Sequence, residues 1–171
     1  MHGGLRSAAR LAASLAWLFV IMLAHYRATG PVRVLGPFAA FVASLIQSTL
    51  RWAGIEALRA GTFLYVPGVF GYEIHIGCTG ILPAAVLTVA IIASPGTGAA
   101  KRWGLLIGVP LVLAVNLLRL LHLFYLGMHS PRLFVLAHSV LWEGALVLFT
   151  FATWLAWTRW ATRIGARAGE R

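Results

Sequence analysis

The chain has a single cysteine, Cys78, in 171 residues. No internal disulfide can form, so the thiol is either a small buried hydrophobe, the commoner use of a free cysteine, or a reactive group. Acidic groups are almost as scarce: Glu56, Glu73, Glu143 and Glu170 are the four, which leaves little material for paired-carboxylate chemistry. Charged residues make up 11% of the chain, against roughly 25% in soluble domains. That shortage, beside 60% hydrophobic content, excludes a soluble globular protein and points to an integral membrane protein. There is no Gly-rich phosphate loop, no Cys-x-x-Cys pair and no internal repeat. The formal charge is +10, but the basic residues fall in twos and fours between apolar runs, without a basic face interleaved by aromatics. This pattern argues against nucleic acid as a partner and marks loops beside a lipid bilayer.

The first apolar run, Leu11 to Ala24, lies between Arg6 and Arg10 on one side and His25-Tyr26-Arg27 on the other. No small-x-small cleavage site follows it, so residues 1–34 read as a retained transmembrane helix and its loop. A second helix starts near Leu35 and extends to about Leu58, its apolar part ending near Leu50; about 22 residues cover ~33 Å, enough to cross. The pattern then changes. Thr62 to Val66 is β-branched and aromatic, Pro67 to Gly71 is turn chemistry, and Tyr72 to Ile76 alternates apolar with polar, which predicts a β-hairpin over about 62–76. Open sheet edges are not tolerated in hydrocarbon, so the hairpin belongs outside the bilayer or under protein.

A third helix is expected from about Gly80 to Ser94, with Thr79 as N-cap and Pro83 in its first turn, where proline costs little. The fourth runs from Trp103 to about Leu126 and stops at Gly127; the fifth runs from Leu133 to about Trp157. The expectation is therefore an all-α integral membrane protein of about five transmembrane helices with a short extracytoplasmic hairpin: a membrane core over 35–157 and a basic cytoplasmic tail over 158–171. Trp52, Trp103, Trp157 and Trp160 sit near helix ends as an aromatic belt.

Charge sets the orientation. Lys101 and Arg102 share a side with Arg159, Arg163, Arg167 and Arg171, against Arg132 alone in the intervening loop, so that side is cytoplasmic. Arg6 and Arg10 balance Arg27 and Arg33 around the first helix, and only the count of spans puts its N-terminus outside. Cys78, the end of the fourth helix with Arg119, and the start of the fifth with His138 then lie at similar depth on the extracytoplasmic side. Asn116, Arg119 and His122 follow at intervals of three and are expected on one face. A helix N-terminus and a nearby cation lower a thiol pKa, histidine can take the thiol proton and return it to a leaving amine, and arginine suits a developing oxyanion. Together these would make a thiol acyl-transfer site. Blander uses stand beside it: His138 bonded to a backbone carbonyl, Arg119 snorkelling to the interface, and His75, His122 and His129 as interface or loop residues. His122, His129 and His138 lack the spacing of a metal or haem ligand pair, so neither metal nor cofactor is expected. Glu143, five residues past His138, lies about 140° around an α-helix from it and is not an obvious partner.

At these residues the chain resembles the exosortase/archaeosortase family of membrane cysteine transpeptidases. The matching pieces are the extended segment Ile74-His75-Ile76-Gly77-Cys78-Thr79-Gly80-Ile81, the Asn116-Leu117-Leu118-Arg119 motif, Ala137-His138-Ser139, and the upstream Ala53-Gly54-Ile55 and Gly61. The resemblance covers roughly residues 35 to 157. It implies Cys78 as nucleophile, Arg119 as oxyanion or thiolate stabiliser and His138 as general acid/base, with Asn116, Thr79 and Gly80 in support. Thr79 stands where many relatives carry serine, and the chain keeps little more than the core. The resemblance further implies an enzyme of the cytoplasmic (inner) membrane. Its substrates would be secreted proteins ending in a short motif, a membrane helix and a basic tail, cut through a Cys78 thioester and passed to an acceptor nucleophile of unknown identity. The rival classes are a non-catalytic membrane transport or binding protein whose polar residues line a path, and a structural scaffold.

Overall fold

A computed structural model describes residues 36–169, with side chains through residue 163; the expected first helix, Leu11 to Ala24, lies outside the described residues. Helix α1 covers residues 36–52. It buries Ala39, Val42, Ala43, Ile46 and Leu50 along one stripe and leaves Phe41 and Leu45 facing outward. Its outward side is thus apolar at Phe41 and Leu45 and polar towards its end, where Ser48, Thr49 and Arg51 are exposed. The hydroxyls of Ser44, Ser48 and Thr49 donate to carbonyls three or four residues earlier, so none needs water. α1 ends well before Leu58. Gly54 takes a positive φ of 80°, its N–H bonds the Arg51 carbonyl, and the Ile55 N–H bonds that of Leu50. That paired closure by a left-handed glycine ends a helix.

Residues 53–57, expected to finish α1, form a turn and an irregular link instead, and a strand begins at Leu58. The sheet has three strands, β1 (Leu58–Ala60), β2 (Phe63–Val66) and β3 (Phe70–Glu73), paired antiparallel in the order β1-β2-β3. In the register Ala60 faces Phe63, and Leu64 faces Tyr72. Leu64 and Ile74 bury themselves against Val42, Ile46, Leu50, Leu120 and Phe124, so one side of the sheet is covered by α1 and by the helix that carries Leu120 and Phe124, Gly98–His129. The free edge is β1, only three residues long, which keeps the exposed edge short.

Helix α2 (Ile81–Ala93) and helix α3 (Gly98–His129) follow. α3 starts ahead of the expected Trp103 because the Thr97 side chain accepts the Ala100 N–H at 3.2 Å, an N-cap the apolar pattern does not reveal. It also runs past Gly127. A Cβ at that position would collide with the ring of Phe70, which packs edge-on against Phe124 and Phe134. Gly127 is therefore a docking notch for β3 and does not end the helix. Helix α4 (Pro131–Leu136) continues through a π-helical segment, Ala137–Leu141, into α5 (Trp142–Gly169).

α2 packs on both α3 and α5 around Leu87, Ile91, Ala100, Val112, Trp157 and Ala161. Trp157, expected in the aromatic belt, is instead buried, its Nε1 donating to the Ala100 carbonyl at 2.9 Å; Trp52, Trp103 and Trp160 do face outward. Among the described residues two helical stretches, Gly98–His129 and Pro131–Arg163, are long and apolar enough to cross a bilayer. α2, closed off by Gly80 and by Pro95-Gly96, has 13 residues and rises only ~20 Å against a hydrocarbon core of about 30 Å.

Candidate active site

Three elements meet at one end of the bundle. The first is the turn before α2. A 3₁₀ turn, Ile76–Cys78, is closed by N–H bonds from Cys78 to His75 and from Thr79 to Ile76. Thr79 does not cap α2: its buried hydroxyl donates back to the Ile76 carbonyl at 2.6 Å. The N-cap is Gly80, with φ at 79°, where a Cβ would strike the Asn116 side chain. Gly80 thus lets α3 come close enough for Asn116 Nδ2 to donate to the Cys78 carbonyl at 2.8 Å. Together Thr79, Gly80 and Asn116 fix where Cys78 sits.

The second element is α3, which buries Asn116 and Arg119. Arg119 is 2% exposed, and a buried guanidinium needs a counter-charge. It finds one in Glu143, whose Oε1 accepts from Arg119 Nη2 at 2.5 Å. Arg119 Nη1 reaches Asn116 Oδ1 at the long distance of 3.5 Å. Among the described residues its Nε has no hydrogen-bond partner.

The third element is the π-helical segment. It presents His138, half-buried beside Phe134, with Nε2 3.9 Å from Cys78 Sγ. The Trp142 N–H bonds the Ala137 carbonyl five residues back, and such an i→i+5 closure widens the turn. Residues five apart are thereby brought towards one face. This is why Glu143, set aside on α-helical geometry, turns to Arg119 while His138 turns to Cys78. The only sequence signal for Glu143 was an acid in an otherwise apolar run. The structure therefore gathers Cys78, Arg119, His138, Asn116, Thr79, Gly80 and Glu143.

His122 is not among them. Six residues past Asn116 the helix lags by about 120°, and His122 instead accepts from Trp142 Nε1 at 2.9 Å on the outside. His75 lies exposed beside Glu73, and His129 stacks on Tyr125. Among the described residues no three His, Cys, Asp or Glu side chains converge as metal ligands.

Electrostatics corrects one expectation. Burial pushes the Cys78 thiol above its ordinary value, the Arg119 charge and the His75 backbone bond pull it down, and Glu143 pushes it up again, with burial prevailing. Burial likewise raises Tyr72 well above the usual phenol range; its hydroxyl donates to the Leu120 carbonyl at 3.1 Å. A neutral thiol beside an imidazole calls for a base at the moment of attack, not a standing thiolate.

Residues 1–158 match the family model described as transmembrane exosortase (Exosortase_EpsH). No curated protein and no solved structure matches the chain.

Proposed function

Because the chain belongs to the transmembrane exosortase family and is a membrane protein, we propose that it is a cysteine transpeptidase or protease acting within the bilayer on the C-terminal sorting signals of secreted proteins. The observation that carries this reading is the contact of Cys78 Sγ with His138 Nε2 at 3.9 Å, made by residues 60 apart, with Gly77 next to Cys78 lining a pocket that also holds the buried Arg119. In this reading His138 Nε2 takes the Sγ proton as sulfur attacks the scissile carbonyl carbon. The carbonyl oxygen gains the charge and is met by the unpaired Nε–H of Arg119, a donor already desolvated and fixed by Glu143 and Asn116. The C–N bond breaks, His138 gives its proton to the leaving amine, and an acyl thioester remains on Cys78. An acceptor nucleophile, deprotonated by His138, then attacks the thioester carbonyl and the thiolate is reprotonated.

The charge pattern supports an extracytoplasmic site in the cytoplasmic membrane, with the substrate's basic tail on the opposite side. Confinement of both chains to one bilayer removes part of the positioning entropy beforehand. The test is processing of a co-expressed reporter that ends in a short motif, an apolar helix and an Arg-rich tail taken from a secreted protein of the same genome. Cys78→Ala should insert normally and process none, and the wild type should yield an acyl adduct on Cys78 by mass spectrometry. Undiminished processing by Cys78→Ala ends the reading.

A further inference from the structure

The pocket at Arg119 does not end at the reacting groups. A cavity of about 350 Å³ begins at Gly77, Gly80, Asn116, Arg119 and Glu143 and continues between α2 and α5 to Ala90 and Trp154. From Gly80 to Ala90 the wall rises roughly 15 Å at ~1.5 Å per residue, half of a hydrocarbon core of about 30 Å. Val86 on one wall and Val147 on the other face outward, so among the described residues the groove is open sideways. The body of the groove is apolar, and the hydroxyl of Thr150 in its wall is spent on the Leu146 carbonyl.

Polarity is confined to the head, and its kind selects the occupant. Arg119 offers one buried donor, Nε, without a partner among the described residues. Glu143, 59% exposed, presents a carboxylate beside it. The pair is neutral in sum, and its negative member is the more accessible, which disfavours a phosphate headgroup. A peptide helix fits better. Within the bilayer its backbone is satisfied internally except at its N-terminus, where free N–H groups and the positive end of the dipole seek an anion. The carbonyl preceding that first turn needs a donor.

We propose that this groove seats the apolar helix of the substrate, entering sideways from lipid, with its N-terminal turn on Glu143, the preceding carbonyl on Arg119 Nε and its body along Val86 and Val147. This rests on the transpeptidase reading and adds to it where the substrate lies and from which side it arrives. The helix N-terminus then sits where the peptide bond must be cut, so depth in the membrane selects the bond.

Photo-crosslinking in full-length protein tests this. A benzophenone amino acid is placed at Val86 or Val147, and for comparison at Leu106 on α3 or Phe41 on α1, both also outward-facing. Each is made in a Cys78→Ala background with the reporter co-expressed. The expected result is roughly tenfold more reporter adduct at the groove positions, the ratio of a site held by about 1.4 kcal/mol over bulk lipid, with adducts mapping to the first turns of its apolar helix. Equal labelling at all four positions, or lipid adducts alone, overturns the groove. Processing by the wild type is read in parallel. Cleavage without preferential crosslinking removes the groove and keeps the chemistry; preferential crosslinking without cleavage or a Cys78 adduct does the reverse.

Discussion

At the scale of single residues, the opposed charges around Cys78 give a prediction with a sign. Arg119 pulls the thiol down and Glu143 pushes it up, so Arg119→Gln should shift the pH profile of Cys78 alkylation to higher pH and Glu143→Gln to lower pH. Rates of labelling by a small thiol reagent in detergent-solubilised protein, taken across pH 6 to about 10 to span the usual thiol range, check both. Shifts in the same direction would mean that packing and not charge sets the thiol. The ion pair has a stability consequence as well. Glu143→Ala leaves a guanidinium that is 2% exposed without its counter-charge, a loss at the lower end of ~3–5 kcal/mol because Glu143 is itself partly open. Thermal unfolding in detergent should show Glu143→Ala much less stable than Glu143→Gln, which keeps an acceptor oxygen for Arg119. The place of Glu143 in the site is not legible in its spacing from His138, because the α-helical period does not hold between residues 137 and 141.

At the scale of elements, that π-helical segment brings two residues five apart, His138 and Glu143, towards one face of the helix. Deleting Val140 removes the extra residue of the widened turn and leaves His138 and Glu143 four apart, about 40° around an ordinary α-helix and still on one face. The expected outcome is a protein that inserts and still processes the reporter; loss of processing and of acyl trapping would show that the site needs the widened turn itself and not only the shared face. Gly80 makes a second element-level case. Its positive φ and its contact with Asn116 mean that Gly80→Ala strains the backbone by ~1–3 kcal/mol and displaces the Asn116–Cys78 bond. Processing should fall more than a comparable change at Gly98, where a Cβ meets nothing. Gly54 and Gly127 show why the helix ends differed from the pattern. One glycine closes α1 by a backbone motif, and the other accepts an aromatic ring inside α3. A glycine in the sequence looks the same in both settings.

At the scale of the whole molecule, the orientation inferred from Lys101, Arg102 and the C-terminal arginines is open to direct test. In a Cys78→Ala background, Ser130→Cys should be labelled by a membrane-impermeant maleimide in intact cells and Ser94→Cys only after lysis; the opposite pattern would put the site on the cytoplasmic face. The sequence by itself determined the membrane character, through scarce charge and long apolar runs. It also determined the order of motifs from the extended segment at Cys78 through Asn116-x-x-Arg119 to His138, since both are properties of composition and spacing along the chain. Only the tertiary structure decided that Glu143 neutralises Arg119, that His122 turns away, that Arg119 Nε is left without a partner among the described residues, and that a groove leads from it between α2 and α5. Those outcomes depend on how three separate helices sit against one another and on one local departure from α-helical period, neither of which is written in the spacing of residues along any single helix.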